Sequence, residues 1–249
     1  MDLYSAFGIE PGAVVAVVGG GGKTSLVHAL ARGANRRGSS AIVTTTVRFT
    51  RPPGFEMPPI VIARDDQIVP AVRARLAPGG TVVATSGQGT HGRLQGFEPA
   101  TVDRLSELGA GLVAIEADGS SHRPFKAPAG HEPVIPGSSS DVVVCVGLPV
   151  VGQPLGETWV HRPELVAAIA GREQGEAVSI ETIAAVLLHE AGGRKGSPPG
   201  ARLHALLNNP GDDERAVPAM ALAELLVAGG YQRIVVATAH EDRVWAVLG

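Results

Sequence analysis

The residues Gly19-Gly-Gly-Gly-Lys-Thr-Ser25 have the types and spacing to hold a polyphosphate. Glycines lack the side chains that would keep backbone N–H groups from turning onto phosphate oxygens. Lys23 would neutralise β- and γ-phosphate charge, and Thr24 or Ser25 would offer a hydroxyl to Mg²⁺. The apolar run Val14 to Val18 leads in, and Leu26, Val27 and Leu30 line one face of the helix that should follow. Strand, glycine loop and helix stand in the order a phosphate loop needs, and the helix start adds its positive end. A flexible turn would account for Gly19, Gly20, Gly21 and Gly22, but not for Lys-Thr-Ser behind them. The expected ligand is ATP or GTP with Mg²⁺.

The usual long form of this motif has a glycine where this chain has Val17. The loop resembles instead the compact Gly-x-x-Gly-Lys-Thr-Ser form of Mur-type amide ligases. Only Lys23, Lys126 and Lys195 are lysines, each in a Gly- or Pro-rich loop, while every other basic side chain is Arg. That pattern suggests positions that call for a compact ammonium.

A second cluster closes the apolar run Leu112 to Ala117. Glu116 and Asp118 share a face by the two-residue strand period. Two carboxylates beside a phosphate loop would repel each other unless a cation lay between them. Asp118 would therefore join Thr24 as a Mg²⁺ ligand, with Glu116 completing the metal shell or positioning a water. Ser120, Ser121, His122, Arg123, Lys126, His131 and Glu132 follow, along a path stiffened by Pro124, Pro128 and Pro133. Arg123 and Lys126 would stabilise charge on a transferred phosphoryl group. The catalytic set expected is thus Lys23, Glu116, Asp118, Arg123 and Lys126.

Weaker candidates surround these. Thr45 and Thr46 could offer hydroxyls to phosphate or metal, although β-branched residues also simply suit a strand. His91 and Arg93 lie in a glycine-rich stretch with the make-up of a lid. His161-Arg-Pro-Glu164 reads first as a helix start, with Pro at its first position. Asn208 stands at a strand end where guanine-binding loops carry Asn-Lys-x-Asp, but Asn209 replaces the lysine and Asp212 falls one place late. The base is left open.

The elements that must position these groups are legible as alternation. Val14–Val18, 41–45, 60–62, 81–84, 112–117, 142–146, 203–207 and 234–237 read as strands, mostly continuously apolar and so covered on both faces. Helical patterns at 24–32, 66–76, 99–108, 163–170, 180–189 and 214–228 separate them. The expected fold is α/β, a mainly parallel sheet with flanking helices in the three-layer manner of P-loop NTPases. One domain over residues 1–249 is expected, with a helical subdomain at about 149–200. In such a sheet, ligands bind at the carboxyl ends of the strands, where all these groups would meet.

Composition sets the outer bounds. At 44% hydrophobic the chain can bury a core, and with 4% aromatics that core must rest on aliphatic side chains. A net charge of −3 without basic clusters argues against nucleic acid as partner. Cys145 lies in an apolar run and reads as a buried hydrophobe. Neither a signal peptide nor an apolar stretch near the roughly 18 residues of a membrane span is visible. The cytoplasm is the expected location.

Together the motifs resemble a known family. They are Val18-Gly-Gly-Gly-Gly-Lys-Thr-Ser25, Thr44-Thr-Thr46, Gly96-Phe-Glu-Pro99, Glu116-Ala-Asp-Gly-Ser120, Arg123-Pro-Phe-Lys126, His131-Glu-Pro-Val-Ile-Pro136, His161-Arg-Pro-Glu164 and Gly193-Arg-Lys-Gly196. The set is similar to the selenium-dependent molybdenum hydroxylase accessory proteins, the YqeC family. The most specific part of the likeness is residues 116 to 136. It implies a P-loop protein that helps mature molybdenum hydroxylases, with those molybdenum cofactor enzymes as partners. The alternatives are a small-molecule kinase or Mur-like ATP-dependent ligase acting on a cofactor precursor, and a non-catalytic nucleotide-gated adaptor.

Overall fold

The computed structural model describes residues 1–50, 58–89, 93–211 and 213–249. A short helix, α1 (Leu3–Ala6), precedes β1 (Ala13–Gly19), which runs through the glycine loop into α2 (Lys23–Asn35). Next come β2 (Ala41–Thr45), β3 (Phe49–Thr50), β4 (Ile60–Ile62), α3 (Ile68–Arg73) and β5 (Thr81–Thr85). The two-residue β6 (Gly87–Gln88) and β7 (Arg93–Gln95) join β3 in a small antiparallel sheet. Then follow α4 (Pro99–Ser106), β8 (Leu112–Glu116), β9 (Phe125–Lys126) and β10 (Asp141–Gly147). After β11 (Val160–His161) come α5 (Pro163–Ala170), α6 (Ile180–Leu188), β12 (Arg202–Asn208), α7 (Asp213–Ala228), β13 (Arg233–Thr238) and β14 (Arg243–Leu248).

The main sheet has nine strands in the order β14-β13-β12-β10-β1-β8-β2-β5-β4. Every pairing is parallel except β13 with β14. Alternate side chains of each strand enter opposite cores, as the pleat requires. Val14, Ala16 and Val18 join one, Val15 and Val17 the other. The first is covered by α3, α4, α5, α6 and α7; the second by α2 with α1. This is the three-layer α/β arrangement read from the alternation of apolar runs. Within the 149–200 segment, α5 and α6 place Val166, Ile183 and Val186 on the first face. No helix among the described residues is long and apolar enough to cross a membrane.

Strands up to β8 lie on one side of β1, and those from β10 onward lie on the other. The chain from Ala117 to Ser140 therefore passes across the sheet between β8 and β10, with β1 between them. Strand order reverses there, and in parallel sheets that is where ligands bind. The opposite end of α2 is held by charge. Arg36 and Arg37 pair with Asp2, and Arg36 also with Asp242.

Candidate functional site

β1 ends at Gly19 with its strands still paired on both sides, Val17 with Glu116 and Gly19 with Cys145. The chain must then turn within four residues to start α2, and left-handed backbone makes this possible. Gly19, Gly21 and Gly22 have φ of 91°, 71° and 111°, a region costly for residues with a Cβ. Space is equally closed. A Cβ on Gly19 would stand 2.4 Å from the Cys145 carbonyl oxygen, and one on Gly20 would stand 2.8 Å from that of Arg123.

The amides divide into two groups. Gly19 N–H donates to Asp118 Oδ2 at 3.0 Å and Gly20 N–H to the Cys145 carbonyl at 2.9 Å, which fixes the loop to the neighbouring strand ends. Among the described residues, the amides of Gly21, Gly22, Lys23, Thr24 and Ser25 donate to no protein acceptor. A run of unsatisfied donors at a helix start favours an anion.

The Lys23 side chain is buried. Its Nζ donates to the Gly19 carbonyl at 2.6 Å and to Ser120 Oγ at 3.3 Å, and lies 3.4 Å from Asp118 Oδ1. Burial works against its charge, but Asp118 and Glu116 outweigh that and hold the ammonium above its ordinary pKa. Thr24 Oγ1 donates to Glu116 Oε2 at 2.8 Å. Burial pushes the Glu116 carboxyl up, only partly offset by Lys23 and the Thr24 bond. Asp118 Oδ1 is buried, accepts no hydrogen bond, and faces the Lys23 ammonium at 3.4 Å. No cluster of three or more His, Cys, Asp or Glu suited to a metal exists among the described residues. A hydroxyl and one or two carboxylates beside these free amides have the donor chemistry that Mg²⁺ takes, since Mg²⁺ fills its other positions with waters.

Not every expected residue faces the loop. Lys126 is fully buried, and its Nζ is held by the Gly119 carbonyl at 2.6 Å, Glu132 Oε2 at 2.6 Å and Asp118 Oδ2 at 3.1 Å. It acts on the site through Asp118 rather than by presenting a free ammonium. Arg123 donates through Nε to the Glu157 carbonyl and through Nη1 to that of Ser121 at 3.3 Å. The Thr45 and Thr46 hydroxyls donate to the carbonyls of Glu116 and Val134, at 2.8 and 2.7 Å. They stitch strand ends together. Ser25 is half-buried in the first turn of α2, and His131 lies on the surface. Burial pushes the Cys145 thiol well above its usual range, as suits a core residue. His91 and Asp212 lie outside the described residues.

Two residues that the motifs contain, but to which the sequence assigned no role, enter here. Glu132 Oε2 accepts from both Lys126 and Arg162 Nη1, each at 2.6 Å. Burial alone would raise the Glu132 pKa, but these two cations bring it down to about 2. Arg162 reaches Glu132 because β9 pairs in parallel with β11, setting Lys126 opposite His161. The only sequence signal for this was the recurrence of Lys, Glu and Arg in Pro-rich segments. On the other flank Asn208, at the end of β12, accepts from Ala239 N–H through Oδ1 at 2.9 Å. Its Nδ2 faces Gly22, where an added Cβ would meet it at 2.4 Å.

A cavity of about 20 Å³ lies beneath the loop, between Gly19, Asp118 and Lys126 and the end of α6 at Val186 and Leu187. It has room for about one water. A nucleotide would have to lie at the mouth above it.

A family model described as "YqeC protein" matches residues 15–164. The chain is also similar to a protein of Escherichia coli (strain K12) named "Uncharacterized protein YqeC". The two are 34% identical over 214 residues, covering 86% of this chain and 81% of that one. No solved structure matches.

Proposed function

The chain belongs to the YqeC family, and we propose that it is a Mg²⁺-dependent nucleoside-triphosphate-binding accessory protein that hydrolyses its nucleotide in the maturation of molybdenum hydroxylases. The observation that carries the nucleotide half is the run of unsatisfied amides from Gly21 to Ser25, in the same loop as the buried Lys23 ammonium. Family membership supports the pathway half, with the selenium-dependent hydroxylases as the clients that the sequence resemblance implies.

In this reading a triphosphate takes the place that Lys23 now fills with its own contacts. The free amides bind β- and γ-phosphate oxygens, and Lys23 exchanges the Gly19 carbonyl for phosphate. Thr24 Oγ1 and Asp118 hold Mg²⁺, with Glu116 behind Thr24 orienting its hydroxyl. Bound Mg²⁺ would draw charge from the leaving phosphate oxygens. Water attacks the γ-phosphorus as its bond to the bridging oxygen breaks, giving nucleoside diphosphate and inorganic phosphate. Glu116 or Asp118 positions that water.

Steady-state hydrolysis of ATP and of GTP tests the proposal against Lys23→Ala and Asp118→Ala. Each substitution should lower kcat/KM by about 100-fold or more, the scale of losing one preorganised electrostatic contact. Unchanged turnover in both variants would remove the reading. The ratio of ATP to GTP turnover decides the base.

A further inference from the structure

A continuous chain of ion pairs runs from the glycine loop to the surface. Lys23 contacts Asp118 at 3.4 Å, Asp118 contacts Lys126 at 3.1 Å, Lys126 contacts Glu132 at 2.6 Å, and Glu132 contacts Arg162 at 2.6 Å. The signs alternate, with three cations to two carboxylates, so both ends are positive. The first four side chains are sealed from water, with Glu132 the most exposed at 9%, and Arg162 emerges at 21%. Charges at such depth are weakly screened, so a cation that ends the chain with donors to spare attracts an anion. One end is the phosphate loop. We infer that the other end, Arg162 with the adjacent His161, is a second oxyanion site, taking the phosphate group of a small-molecule substrate or effector.

The local geometry supports this. Arg162 gives only Nη1 to Glu132, and among the described residues its Nε and Nη2 make no hydrogen bond and are not buried. Those two donors form the fork that engages two oxygens of one phosphate. The residue is held at φ 62°, ψ 62° at the start of α5, a left-handed conformation unusual for an arginine. Strain of that kind persists where surrounding contacts fix it, and it gathers at ligand sites. His161, one residue earlier, is half-exposed, makes no hydrogen bond among the described residues, and has its side chain on the same ribbon. Burial chiefly, with the charges of Arg162 and Lys126, holds its imidazole below its ordinary pKa against the opposing pull of Glu132 and Asp118. Glu116 does not neutralise the chain at this end, since it is turned to Thr24. The inference does not require a nucleotide in the glycine loop.

Binding of inorganic phosphate to the full-length protein by titration calorimetry tests it. The protein is first saturated with Mg²⁺ and a non-hydrolysable ATP analogue, so that the loop is filled. A further saturable phosphate site is expected, weakened about tenfold or more in Arg162→Gln. In Lys23→Ala, tested without nucleotide, the Arg162-dependent binding should persist, which separates this site from the loop and keeps it testable if no nucleotide binds at all. Glucose 6-phosphate competing for the same site would mark it as one for phosphate monoesters; competition by free phosphate alone would restrict it to the inorganic ion and overturn the small-molecule assignment. Phosphate binding that Arg162→Gln leaves unchanged, or that is absent in the parent protein at millimolar concentration, overturns the site. Should Arg162→Gln fail to fold, Arg162→Lys keeps a cation for Glu132 but loses the fork. Weaker phosphate at an unchanged melting temperature then supports the site, and unchanged phosphate overturns it.

Discussion

Lys23 directs its ammonium at the protein's own oxygens, so any phosphate that enters must displace the Gly19 carbonyl and share Asp118. Asp118 can yield because Lys126 still holds it, which gives Lys126 a supporting role without contact to the ligand. The groups around this network also set the pH response of the fold. His28 is held at about 4 by burial and by Arg32, against 6.5 in the unfolded chain, and Glu132 at about 2 against 4.5. Both pKa values are lower in the folded state, so the unfolded chain binds the proton first and stability falls with acidification. The His28 contribution is present above about pH 6.5 and lost toward pH 4; that of Glu132 is present above about 4.5 and lost toward pH 2. Urea midpoints measured from pH 7 to 3 should decline in two stages. Glu132→Gln should shrink the lower stage, to which Asp2 and Asp141 also contribute, and leave the upper one; an unaltered lower stage would contradict the assignment. Lys23 and Thr24 were legible as candidates because they follow a glycine tetrad at the end of an apolar run, and Glu116 and Asp118 because they close another such run. Glu132 and Arg162 were not. Their meeting depends on the two-residue pairing of β9 with β11 across more than thirty intervening residues, too short a pairing to leave a periodic trace.

Among the elements, the turn from β1 to α2 carries the tightest constraint. Gly19→Ala combines a left-handed φ with a Cβ driven against the Cys145 carbonyl, and should cost about 1–3 kcal/mol in denaturant unfolding. It should also disturb the Gly19 N–H bond to Asp118, so phosphate affinity falls with stability. An alanine variant as stable as the parent would show that the loop is looser than described. Most of the apolar runs were readable as strands because burial on both faces makes them continuous, the exception being the short edge strand Ile60–Ile62 with both isoleucines exposed. β14 was not, since Arg243-Val-Trp-Ala-Val-Leu248 is an antiparallel edge with mixed exposure. The expected helix at 66–76 is shorter in the structure, Ile68–Arg73, with only Ile68 and Val72 buried to anchor it.

For the whole molecule, the candidate site is part of the central sheet rather than an appended loop. β1 has partners on both sides, its loop is hydrogen-bonded to β10 and to Asp118, and α2 is tied at its far end to Asp2 and Asp242. Ligand binding should therefore stabilise the global fold. At about 100 times Kd of Mg²⁺ and nucleotide the gain is about 2.7 kcal/mol, roughly 5–11 °C in melting temperature for a chain of this size. A shift of that order in the parent protein, absent in Lys23→Ala, is the expected calorimetric result. The packing around the glycines also bears on how this loop can diverge. Gly19, Gly20 and Gly21 face main-chain atoms of Cys145, of Arg123 to Phe125 and of Gly147, which no substitution can trim. Gly22 alone faces a side chain, that of Asn208. Descendants of this sequence thus have one route by which two positions can change in concert, and it runs between residues 22 and 208.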